Sequence, residues 1–198
     1  EFDASIVNAL ALDSDGNLYV GGNFIINGSA PAANIARWSV AEQRWYPLGT
    51  GMDQPVLALL VGNEYHSNKL FAGGSFTLAG GIAAQHIAMW NTAEQSWNPI
   101  GPGFNQQVRS LAMSDLGHLY AGGTFTFTGE TSINRVAKCE GPGVESEWLP
   151  LASGVNNTVN ALAVDDEANL HMVGAFTTAG NKTSTYATKC PVHYVISI

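Results

Sequence analysis

Four positions carry oxygen-bearing side chains at intervals of about fifty residues: Asp3, Asp53, Asn105 and Asn156, each directly after an apolar residue (Phe2, Met52, Phe104, Val155). Carboxylate and amide oxygens are hard donors of the kind that hold Ca²⁺ or a polar ligand. The competing role is structural, because Asx side chains start turns by bonding nearby backbone. Two carboxylates and two amides make a weak metal site. Asp13-Ser14-Asp15-Gly16-Asn17 has the first half of a calcium loop, but its twelfth position is Phe24 rather than Glu, so a plain hairpin turn is expected there. The histidines (His66, His86, His118, His171, His193) and the two cysteines show no zinc spacing. Neither a Gly-x-Ser-x-Gly elbow nor a phosphate-binding glycine loop occurs. The acids open to general acid–base work are few: Asp3, Asp53, Glu130 and Glu140. Asn27, Asn156 and Asn181 begin Asn-x-Ser/Thr triplets, candidate glycan acceptors in a secreted protein.

The elements that position these residues come from a repeat. Leu18-Tyr19-Val20-Gly21-Gly22-Asn23-Phe24 returns as Leu70-Phe71-Ala72-Gly73-Gly74-Ser75-Phe76 and as Leu119-Tyr120-Ala121-Gly122-Gly123-Thr124-Phe125. A fourth copy, Leu170 to Phe176, has Val173 in place of the first glycine. The phenylalanines Phe24, Phe76, Phe125 and Phe176 are 52, 49 and 51 residues apart. Each is followed four residues on by a glycine (Gly28, Gly80, Gly129, Gly180) and fourteen on by Trp38, Trp90, Cys139 or Cys190.

Each copy reads as four strands. The first has a V-x-[AS]-L pattern starting at Val7, Val56, Val108 and Val159. The second ends in Gly-Gly, which marks a bend or a close backbone approach. The third ends on the Trp or Cys. The fourth carries Trp45-Tyr46-Pro47, Trp97-Asn98-Pro99 or Trp148-Leu149-Pro150, and its proline makes it an edge strand. Four strands in about fifty residues is a propeller blade. The expected fold is therefore all-β: a single β-propeller domain over residues 1–198, with blades at about 5–50, 54–102, 106–153 and 157–198. The Phe and Trp residues would space the blade faces, and the Asx residues would ring one mouth of a central channel. Three architectures stay open: a closed four-bladed ring, two copies paired into eight blades, and a fragment of a longer propeller. Cys139 and Cys190 would then sit on adjacent blades about 10 Å apart, beyond disulfide reach, as buried thiols.

Composition agrees with this. Only 12% of the residues are charged and 22 are glycine, as expected for short strands buried on both faces and joined by tight turns. The net charge of −8 argues against a nucleic-acid groove or an anionic membrane surface. No apolar run is long enough to cross a bilayer. The chain opens Glu1-Phe2-Asp3 with no leader pattern, as a processed chain or a fragment would.

An apolar strand ending in Gly-Gly, then two aromatics seven apart (Trp38 and Trp45; Trp90 and Trp97), resembles the kelch repeat of β-propellers. The fuller form, LYVGGxF…G…IAxW…W.PLGxG…V.AL, is similar to the propeller repeats of the fungal cortical cell-polarity marker family and related surface proteins. The third and fourth copies depart from it at Cys139, Val173 and the missing last tryptophan. The resemblance implies a secreted or cell-surface display domain and carries over no catalytic residue. The expectation is a non-enzymatic interaction or structural module without a cofactor. It would bind protein or glycan through loop faces, with self-association through an exposed blade edge. The rival is a propeller hydrolase or oxidase using the channel mouth.

Overall fold

The computed structural model describes residues 2–26, 32–180, 182–184 and 187–191, with side chains for all of these except 2–5, 32 and 191. Blade A comprises β1 (Phe2–Leu12), β2 (Leu18–Ile26), β3 (Ala32–Ser39) and β4 (Arg44–Pro47). Blade B has β5 (Val56–Val61), β6 (Lys69–Gly74), the short pair β7 (Leu78–Ala79) and β8 (Ile82–Ala83), then β9 (Ile87–Asn91) and β10 (Ser96–Pro99). Blade C repeats this with β11 (Val108–Met113), β12 (Leu119–Gly123), β13 (Phe127–Thr128), β14 (Thr131–Ser132), β15 (Val136–Cys139) and β16 (Leu149–Pro150). Blade D has β17 (Val159–Val164), β18 (Asn169–Gly174), β19 (Thr178–Ala179), β20 (Lys182–Thr183) and β21 (Ala187–Pro191). The fourth strand expected after β21 falls in 192–198, outside the described residues.

All pairings within the blades are antiparallel, in the orders β1-β2-β3-β4, β5-β6-β9-β10, β11-β12-β15-β16 and β17-β18-β21. Pro47, Pro99 and Pro150 lie on the outer strands, where a missing N–H removes no ladder bond on the free side. Each inner strand is bulged at an equivalent place, Val7/Ala9, Val56/Ala58, Val108/Ser110 and Val159/Ala161, and β1 has a second register shift between Asp3 and Ile6. The glycine two residues before each recurring phenylalanine is the cause of the shared bulge. A Cβ on Gly22, Gly74, Gly123 or Gly174 would meet a carbonyl oxygen of its own blade's inner chain at 2.0, 2.4, 2.0 or 2.0 Å. Only glycine lets the two backbones approach so closely.

The cores lie between the blades. Tyr19, Ile35, Leu48 and Met52 of blade A meet Val56, Leu70, Phe76 and Trp90 of blade B. Phe71, Met89 and Ile100 meet Leu119, Phe125 and Trp148 at the next junction, and Tyr120, Leu151 and Val155 meet Leu170, Met172 and Phe176 at the third. A smaller cluster of Val20, Phe24, Ile26 and Ala36 belongs to blade A alone. The tryptophans do more than fill space. Trp97 Nε1 donates to the Leu48 carbonyl of the preceding blade (2.9 Å) and Trp148 Nε1 to that of Ile100 (3.1 Å), so each indole ties two blades together. The inner strands follow one another as β1, β5, β11, β17, and among the described residues no closed sheet joins the ends. Cys139 is buried as expected, Cys190 is only half-buried, and no disulfide joins them; burial pushes both thiols above their ordinary pKa.

Candidate functional site

The short hairpins β7–β8, β13–β14 and β19–β20 are the feature that the repeat alone did not reveal. They stand at the same end of blades B, C and D, and their tips are the glycines four residues after each phenylalanine. Gly80, Gly129 and Gly180 have φ of 59°, 52° and 60°, a backbone conformation that costs glycine nothing.

The recurring Asx residues hold these hairpins. Asp53 Oδ1 accepts the N–H of Thr77 (2.9 Å) and of Leu78 (2.8 Å), while Oδ2 accepts the Thr77 hydroxyl (2.8 Å). Asn105 Oδ1 accepts Thr126 N–H (2.8 Å) and Phe127 N–H (3.0 Å), and its Nδ2 donates to Thr126 Oγ1 (3.1 Å). Asn156 does the same with Thr177 and Thr178 (2.9 and 3.0 Å) and donates to Thr177 Oγ1 (2.9 Å). The threonine hydroxyl donates to aspartate and accepts from asparagine, which is why the two residue types interchange. The Asx residues thus bond a hairpin more than twenty residues downstream, and the oxygens that would face a cation already receive backbone N–H groups. The Asn156 nitrogen that would carry a glycan is bonded to Thr177; Asn27 and Asn181 lie outside the described residues.

Asp3 is placed differently. Its backbone pairs with Ile25 inside β1–β2, and its side chain is outside the description. Blade A has Ile25 where the other blades have Thr77, Thr126 and Thr177, so it lacks the hydroxyl that completes the clamp. The threonine after each of the last three phenylalanines was the sequence signal for this site.

Electrostatics at Asp53 follow from the clamp. Burial works against its ionised form, but the Leu78 N–H, the Thr77 hydroxyl and the Thr77 N–H outweigh it, and its pKa falls below the ordinary 3.8. The hairpins present Leu78, Ile82 and Phe127 to solvent, 42%, 39% and 44% exposed. Between blades B and C this end has a cleft of about 270 Å³ lined by Ser75, His86, Asn105, Gln106, Gln107 and Thr124. Burial lowers the His86 pKa below its usual 6.5.

At the opposite end, Asp13 accepts from the N–H of Asp15 and Asn17, the Asn17 amide and the Tyr19 hydroxyl. Asp165 does the same with Glu167, Asn169 and His171, although its turn has a different sequence. The His171 bond, 2.7 Å, holds the Asp165 carboxyl far below its usual range. Both are turns, as expected for Asp13. Beside Asp13 lies a groove of about 510 Å³ between blades A and B, lined by Tyr19, Arg37, Glu64 and Lys69 among others. Glu140 is paired with Lys138 at 2.8 Å. Among the described residues no three His, Cys, Asp or Glu side chains converge as metal ligands, and no helix is long and apolar enough to cross a membrane.

Comparison with known proteins agrees with a propeller. The family described as "Two component regulator propeller" matches residues 1–24. "Polarized growth protein L1" of Phoma sp. is 25% identical over 173 residues, 84% of this chain but 13% of that protein, so the chain spans a small part of its relative. Among solved structures, the computationally designed Ika4 protein superposes with a TM-score of 0.55 at 15% identity, covering 95% of this chain and 93% of that one. The extracellular domain of the putative one component system BT4673 of B. thetaiotaomicron gives 0.56 at 14% identity, over 92% and 21%. A chain of the mitotic checkpoint complex gives 0.55 at 19%, over 87% and 47%. The fold is all-β and propeller-like.

Proposed function

We propose that the chain is a non-enzymatic interaction module of an extracellular or cell-surface protein, built of kelch-like blades and binding protein or glycan through its hairpin end. The observation that carries this is the clamp repeated on three successive blades. Asp53, Asn105 and Asn156 spend their hydrogen bonds fixing short hairpins whose exposed side chains include Leu78, Ile82 and Phe127. Fixing a loop in advance lowers the entropy lost when it binds. Half-exposed apolar side chains beside Gln, Asn and Thr suit a partner with both apolar and hydroxyl surface, such as a sugar ring or a polar protein loop. Likeness to a protein named for polarized growth supports a part in growth polarity.

The test is a glycan array and elemental analysis on purified protein, with Phe127→Ala and Leu78→Ala beside it. Expected are hits that either variant weakens about tenfold, the loss of one well-buried contact, with no stoichiometric transition metal. Bound metal together with turnover of a hydrolase or oxidase substrate would overturn the reading, as would hits indifferent to both variants.

A further inference from the structure

Each of blades A, B and C is followed by another blade, and one contact marks every junction. A Cβ on Gly21 would lie 2.5 Å from Val56 Cγ1 of the next blade. At Gly73 the distance to Val108 Cγ1 is 2.5 Å, and at Gly122 the distance to Val159 Cγ1 is 2.6 Å. Ordinary carbon–carbon contacts are about 3.5–4.0 Å, so even alanine at these places would push the next blade away. The three pressing valines are fully buried, at 0% exposure. This demand is separate from that on the second glycine, which comes from within the blade and which blade D meets with Gly174.

Blade D breaks only the first rule. Val173 pairs with Ala161 in the same bulged register that sets Gly21 against Ala9 and Gly73 against Ala58. Among the described residues no blade rests on it, and it is 46% exposed. Beside it His171 and Lys189 lie within 2.7 and 3.5 Å of Asp165, where blades B and C bury Phe71 and Tyr120. At the other end, blade A keeps the complete pressing set. Val7, Leu10 and Leu12 stand at 50%, 60% and 65% exposure in the places of Val56, Leu59 and Val61.

We infer that the two end faces do not fit one another: the outward face of blade A is a docking surface for a partner sheet with glycine opposite Val7, and Val173 bars blade D from being that sheet. The bar applies equally to ring closure within one chain and to head-to-tail stacking of two copies. The occupant is a propeller blade supplied from outside these 198 residues. This goes beyond the hairpin reading, uses a different surface, and stands or falls separately.

Sedimentation velocity on the fluorescently labelled 198-residue chain mixed with unlabelled variants tests it. Wild type added to wild type is expected to stay monomeric at every concentration. H171Y/V173G restores the tyrosine and glycine of the earlier blades and should either shift labelled wild type to faster species or close on itself as a more compact monomer. Leu10→Asp in the receiving chain, or in the closing one, should abolish the effect. Val173→Ala should behave as wild type, because the Cβ alone clashes. Wild-type association or compaction that Leu10→Asp removes would overturn the inference. So would an H171Y/V173G chain, folded by near-ultraviolet circular dichroism, that neither associates nor compacts.

Discussion

At the scale of single residues, Asp53 is the one clamp residue with a charge to lose. Its folded-state pKa lies below the ordinary 3.8 because Leu78 N–H, Thr77 hydroxyl and Thr77 N–H favour the carboxylate more than burial opposes it. The sign follows from linkage. A depressed folded pKa adds stability that is fully present above the unfolded value and is lost as pH falls through the folded one. Wild type should therefore lose more stability than Asp53→Asn between about pH 5 and pH 2. Near neutrality the variant should nearly match wild type, since Asn105 and Asn156 hold the same geometry with the threonine hydroxyl turned round to accept. Thermal melts of both proteins across that range check it. Parallel curves would mean that the carboxylate contributes nothing beyond its shape.

At the scale of elements, the main strands were legible because their side chains obey two-residue alternation and their ends carry Gly-Gly or Pro. The hairpins were not, for a physical reason: each strand is two residues long and has no period to read. Their fixation comes from a side chain some twenty residues upstream, together with residues at positive φ (His86 and Arg135, 66° and 67°) that no local pattern marks. The Asx positions were visible as candidates, and the bonds that consume them were not, because a ligand-binding oxygen and a clamping oxygen are the same atom in sequence. Asn105→Ala removes an acceptor of two N–H groups and a donor to Thr126. A net value of about 1 kcal/mol per bond, reduced by exposure, puts the cost at about 1–2 kcal/mol. The loss should be local: faster amide exchange at Thr126 and Phe127, with the amides of β11 and β12 unchanged. Uniform acceleration across blade C would show instead that the clamp supports the whole sheet.

For the whole molecule, low charge and abundant glycine were readable as architecture, because stacked blades bury both faces of a sheet and leave few places for Lys or Glu. What composition could not reveal is that the stack has two unlike ends, since that depends on whether a neighbour covers Val7 and Val173. A stack in which each unit touches only its neighbours has a stability close to a sum of unit and junction contributions. Blades B and C each share two junctions. Blades A and D share one, and Val7, Leu10 and Leu12, 50–65% exposed, forgo burial worth roughly 1–2 kcal/mol each. The end blades should therefore open without the middle ones. Native-state hydrogen exchange at rising denaturant is expected to show β1 and the β17–β18–β21 sheet exchanging through openings of lower free energy. The amides of β5–β6 and β11–β12 should exchange only through global unfolding. Blade A should gain protection if a glycine-bearing blade covers it, and blade D should not, because Val173 keeps its face closed to such a partner. A single exchange free energy across all four blades would mean that the junctions are strong enough to make the stack one cooperative unit.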